Sequence, residues 1–164
     1  MILNSMQKLI LNFLFLLIFF SSTCYAEVVK DFKVIGNNRI SKETIAVFGD
    51  IVINQDYNLE KIDELLKKLY DTNYFSDVKI NVRNNILEIH ITENPIIQNL
   101  IIKGLKAKKF TEKINELIEL KQKTSFVESK LTNDIKRIET VLRNQGYFFC
   151  KVDAFKKENI NNSI

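Results

Sequence analysis

Few side chains in this sequence could carry out chemistry: one histidine, His90, two cysteines, Cys24 and Cys150, and carboxylate pairs such as Glu116 and Glu119. A histidine works as a ligand or general base when other ligands, or a carboxylate that orients it, are spaced to meet it. His90 has no Cys, Asp or Glu cluster at metal-ligand spacing. It falls in Leu87-Glu88-Ile89-His90-Ile91, on the face opposite the three apolar residues, where a strand histidine meets solvent. Cys150 has no histidine or basic cluster beside it to lower its pKa, and in an apolar strand it reads as a small buried hydrophobe. Glu116 and Glu119 sit on the polar face of a helix, so solvation accounts for them. No serine or cysteine stands in a nucleophile motif, and no glycine-rich loop joins a strand to a helix to hold phosphate. These residues imply no enzyme, no metal and no cofactor.

The order of the chain is more informative than its reactive groups. Leu59, Ile62, Leu65, Leu66 and Leu69 recur at three- and four-residue spacing, which predicts one buried helical face. After Asn73 the period changes: Val78, Ile80 and Val82 alternate with Lys79 and Asn81, which predicts a strand. Asn73 sits where a helix ends in the left-handed conformation. The same junction returns in Leu142-Arg143-Asn144-Gln145-Gly146-Tyr147-Phe148, with Gly146 in place of Asn73. Upstream, Phe32-Lys33-Val34-Ile35-Gly36 matches Leu100-Ile101-Ile102-Lys103-Gly104, and Gly104 follows Gly36 by 68 positions (104 − 36). Two copies of one small unit therefore lie in tandem.

In the first copy the order is a strand over 27–35, a turn at Gly36, and a short helix to Phe48 that Ser41 caps and Ile40 and Ile45 staple. A connector over 51–57 leads to a helix capped by Asn58. The strand Asp77–Val82, a turn at Arg83-Asn84-Asn85 and the strand Ile86–Thr92 complete it. Glu93-Asn94-Pro95 holds the only proline and marks the boundary between copies. The second copy predicts a strand over 96–103, a turn from Gly104, a helix opened by Phe110 and Thr111, a helix opened by Ser125 with Glu128 or by Ser129, and a strand over 147–155. Its last strand is expected to be lacking. The expected divisions are 1–26, 27–94 and 95–164, in an α+β architecture.

The first 26 residues differ from the rest. Lys8 gives a positive start, Leu9 to Phe20 form an apolar core interrupted by Asn12, and Ser21 to Ala26 form a small-residue exit. A core of this length is short for the ~20 residues a spanning helix needs. A secretory signal peptide cut after Ala26 is expected; an uncleaved anchor and a lipoprotein signal using Cys24 are the other readings. Removal of Cys24 would leave Cys150 alone, so no internal disulfide is expected. The formal charge of +4 is spread along the chain with no run of five like charges, so no nucleic-acid partner is indicated.

Strand-helix-helix-strand-strand in tandem behind a signal peptide resembles the POTRA (polypeptide-transport-associated) repeats of the BamA family of outer-membrane protein assembly factors. The matching residues run from Phe32 to Ile40, from Leu66 to Val78, and from Asn144 to Phe148. In two respects the sequence departs from the family: Asn73 replaces the usual turn glycine, and further repeats and a membrane β-barrel do not follow in this chain. The resemblance implies two small domains, each a three-stranded sheet covered by two helices, with structural turns at Gly36, Asn73, Gly104 and Gly146. It also implies a non-catalytic scaffold at the periplasmic face of the outer membrane, with nascent outer-membrane proteins, accessory assembly lipoproteins and a downstream β-barrel as partners. The physical means would be β-augmentation, in which an extended client adds a strand to an exposed sheet edge. Short and polar, the strand Asp77, Val78, Lys79, Ile80, Asn81 and Val82 is the expected edge, with the more apolar Ile86–Ile91 in the middle. A two-partner secretion transporter and an inner-membrane cell-division protein with one such domain are the neighbouring readings.

Overall fold

The computed structural model describes residues 28–105 and 107–164, so the segment read as a signal peptide lies outside the described residues. In chain order the elements are β1 (Val28–Val29), β2 (Asp31–Ile35), α1 (Lys42–Phe48), β3 (Gln55–Asp56), α2 (Leu59–Asp71), β4 (Phe75–Arg83), β5 (Ile86–Glu93), α3 (Lys108–Leu117) and α4 (Glu128–Asn144). The α+β class stands.

Local signals set the first unit. Ser41 Oγ accepts the Thr44 N–H at 3.2 Å to open α1, and Asn58 Oδ1 accepts the Lys61 N–H at 3.0 Å to open α2. Asn73 ends the α2 turn at φ 60°. Asn84 and Asn85, at φ 52° and 62°, make the two-residue turn that joins β4 to β5. The three-stranded sheet has the order β2-β5-β4, with β5 parallel to β2 and antiparallel to β4. Val78, Leu87, Ile89 and Ile91 share its covered face with Phe75, and Ile45, Leu65 and Leu69 of the two helices close the core over them. Gly36 is required at its turn: φ is 92°, and a Cβ there would lie 2.2 Å from the Ile91 carbonyl oxygen.

The first strand and the connector depart from expectation. The stretch over 27–35 divides at Lys30. Its start, β1, pairs antiparallel with β3 inside the connector, while β2 joins the main sheet. The second unit repeats this small pairing, because Ile96 bridges Ser125 antiparallel much as Val28 faces Asp56. On its other side Ile96 bridges Ser163 in parallel, and the Gln98 N–H donates to the Ile164 carbonyl at 2.7 Å.

Beyond these bridges the second unit holds no sheet among the described residues. The expected strands over 96–103 and 147–155 are irregular. In the first unit both outer strands bond to β5, and nothing among the described residues stands in its place in the second. Cys150 therefore lies in a coil, with its thiol 3.9 Å from the Glu139 carbonyl. Both helix starts also differ. Helix α3 begins at Lys108, ahead of Thr111, and neither Ala107 nor Val127 makes a side-chain cap bond to α3 or α4. Ser125 instead takes part in the bridge to Ile96. A local cap signal chooses among starts only when packing leaves the choice open.

Candidate functional site

Of the two outer strands in the main sheet, β4 is the longer, with nine residues against five in β2. In an antiparallel pair alternate residues turn N–H and C=O toward the partner, and the residues between them turn both groups outward. The two-residue turn after Arg83 makes Arg83 and Ile86 a bonded pair, so Asn81 and Lys79 also bond to β5 through Glu88 and His90. Val82, Ile80 and Val78 then point their main-chain groups away from the sheet. The amide of Val78 agrees, since it donates to the Tyr70 hydroxyl at 3.1 Å instead of to β5.

The expected edge residues thus divide into two sets. Lys79 and Asn81 show exposed side chains but have their main-chain groups in the ladder. Val78, Ile80 and Val82 turn their side chains to the covered face and their main-chain groups outward. Asp77 begins the regular ladder after an irregularity between Phe75 and Asp77, and its carboxylate meets Lys79 Nζ at 3.2 Å. A bulge and a charged pair at the start of β4 are common protections of an edge. His90 lies beside Lys79 on the outer face, and among the described residues no group of three His, Cys, Asp or Glu side chains is placed to hold a metal ion.

Sequence reasoning missed Tyr70 and Glu93. Tyr70 follows Leu66 by four residues at the margin of the α2 leucine stripe, where the spacing marks it only as one more apolar position. Glu93 reads as a boundary residue, yet its side chain is fully buried. Its Oε1 accepts the amides of Asn38, Arg39 and Ile40 at 2.9, 3.0 and 3.1 Å, and its Oε2 accepts Arg39 Nε at 3.0 Å. Burial pushes the Glu93 carboxyl up, but the amides of Asn38, Ile40 and Arg39 and the Arg39 charge outweigh it and hold the group below its ordinary value. Arg39 also donates to the Asn94 carbonyl at 2.6 Å, and Asn162 Nδ2 donates to the Glu93 carbonyl at 3.1 Å. The proline-marked boundary is thus a bonded junction between the two units.

The other turns expected from the sequence have positive φ: Gly36, Gly104 and Gly146 each at 92°, and Asn73 at 60°. Only at Gly36 does the backbone also approach another strand; the space around Gly104 and Gly146 is open. In the second unit an open, largely apolar groove of about 1400 Å³ runs past Leu100, Ile102, Ile118, Leu131, Ile138 and Phe155. It occupies the side of the helices that β4 and β5 cover in the first unit. No helix among the described residues is long and apolar enough to cross a membrane.

The family model described as POTRA, surface antigen variable number repeat, matches residues 95–163. The outer membrane protein assembly factor BamA of Neorickettsia risticii is 28% identical over 128 residues, which is 78% of this chain and 17% of that protein. BamA of Nitratidesulfovibrio vulgaris is 23% identical over 133 residues, or 76% of this chain and 16% of that protein. The chain thus spans a small part of the length of these relatives. Among solved structures, the N-terminal domain of Omp85 from the thermophilic cyanobacterium Thermosynechococcus elongatus aligns at a TM-score of 0.52 and 15% identity, over 83% of this chain and 59% of that one. At that identity the likeness concerns the fold.

Proposed function

We propose, from the match of residues 95–163 to the POTRA family model and the similarity of the chain to BamA proteins, that this polypeptide is the periplasmic POTRA region of an outer-membrane protein assembly factor. It acts without catalysis, as a scaffold that receives extended segments of nascent outer-membrane proteins and docks accessory lipoproteins. A first POTRA unit over 27–94 precedes a second over 95–164, behind a signal peptide removed after Ala26. The observation that carries the reading is β4, an edge strand with outward main-chain groups at Ile80 and Val82. Main-chain pairing accepts many client sequences, which a general assembly factor requires, and it needs no reactive side chain.

The test contrasts two prolines. Val82→Pro removes an outward donor, which an edge strand tolerates. Asn81→Pro removes a ladder bond to β5 and should disrupt the hairpin. The Val82→Pro chain is expected to keep its circular dichroism and lose binding to unfolded outer-membrane protein segments. Undiminished binding by a folded Val82→Pro chain would remove β4 as the docking edge. Intact mass of periplasmic material, beginning at Glu27, checks the signal-peptide reading separately.

A further inference from the structure

We propose that Tyr70 is a specificity-determining residue of this edge, restricting a docked strand to the main-chain groups of Ile80 and Val82. The inference rests on the reading of β4 as a docking edge and adds to it the register in which a strand docks. Three residues of β4 turn outward, but the amide of Val78 is already satisfied by the Tyr70 hydroxyl at 3.1 Å. A strand that extended to Val78 would have to displace that hydroxyl, exchanging one hydrogen bond for another with no net gain.

The hydroxyl is held in place by the turn that joins α2 to β4. Tyr70 lies in the last turn of α2, and its carbonyl accepts the Asn73 amide at 2.9 Å. Thr72 Oγ1 donates to the Leu69 carbonyl at 2.6 Å and accepts the Tyr74 amide at 3.2 Å. Asn94 closes the same turn from the far end of β5, donating from its side chain to the Asn73 carbonyl at 2.9 Å and from its amide to the Tyr74 carbonyl at 2.8 Å. The irregularity between Phe75 and Asp77 breaks the outward alternation just beyond Val78. Tyr70 and this bulge together close the N-terminal end of β4 and leave its C-terminal end open. A client strand is thus read by position along the edge, although its sequence is not.

The experiment is an amide hydrogen-exchange and titration study of the full chain with a nine-residue peptide of alternating valine and threonine. It compares the unaltered protein with Tyr70→Phe, which keeps the ring and deletes the hydroxyl. In the unaltered chain the peptide is expected to protect the amides of Ile80 and Val82 and leave that of Val78 unchanged. In Tyr70→Phe the free protein should exchange Val78 faster, and the peptide should then protect Val78 and bind about fivefold more tightly, one added main-chain bond. If the peptide protects neither Ile80 nor Val82 in either protein, the docking reading itself fails. If it protects both in each protein while Val78 gains no protection in Tyr70→Phe, the docking reading survives and the role given to Tyr70 is overturned.

Discussion

The Glu93 carboxylate and the Arg39 guanidinium meet at 3.0 Å, with the carboxylate fully buried and the arginine side chain about a third exposed. The pair joins the end of β5 to the turn after β2, and the same arginine reaches the Asn94 carbonyl at the boundary with the second unit. Because three main-chain amides converge on that carboxylate, it does at this turn what a dedicated cap does at a helix start.

Replacing Glu93 with Gln should therefore destabilise the first unit by about 2–3 kcal/mol, because the new amide group presents donors to the Arg39 donors. The pH dependence has a definite sign. With the folded carboxyl held below the ordinary value of 4.5, its contribution is present above that value and is lost as pH falls through the folded pKa. Urea midpoints of the unaltered chain and Glu93→Gln should differ at about pH 7 and draw together as the pH falls below 4.5 through the folded pKa. A constant difference across that range would contradict the ionised cap.

Gly36→Ala should cost more than Gly104→Ala. Both residues sit at φ 92°, so both pay about 1–2 kcal/mol for a left-handed alanine. At Gly36 the added carbon also meets the Ile91 carbonyl oxygen at 2.2 Å, while at Gly104 it meets open space. The total at Gly36 should approach roughly 3 kcal/mol. Denaturant titration of the two variants checks the ordering, and equal losses would mean that the β2 turn moves freely away from β5.

Asp134→Ala should loosen the second unit. The buried Asp134 carboxylate accepts the amides of Glu119 and Leu120 at 2.8 and 2.9 Å, holding the chain after α3 against α4. Its removal leaves the Leu120 amide buried without that acceptor, a loss of about 2 kcal/mol. Amide exchange at Glu119 and Leu120 is the readout, expected to accelerate while the first unit is unchanged.

The two units should differ in protection. Phe148, Phe149 and Phe155 are 70%, 102% and 95% exposed, so the last segment adds little to the core of its unit. Amides over 130–155 should exchange much faster than those over 59–92. Equal protection would show that the second unit packs as firmly as the first.

The sequence by itself determined what depends on a few neighbouring residues. Ser41 and Asn58 supply their own acceptors to the helix starts, Asn73 and Gly36 tolerate positive φ, and the change of period after Asn73 marks helix from strand. The tandem copying of these signals was legible for the same reason. Partner strands decided the rest. Phe32-Lys33-Val34-Ile35-Gly36 and Leu100-Ile101-Ile102-Lys103-Gly104 share one pattern, yet only the first is a strand, because β5 lies beside it to take its main-chain bonds. A strand's bonds are made to residues distant in sequence, so alternation gives its faces and leaves its existence to its neighbour. The outward set at the edge was hidden likewise. Whether Lys79 or Ile80 offers a free amide follows from the register against β5, and that the Tyr70 hydroxyl holds Val78 follows from the packing of α2 over β4.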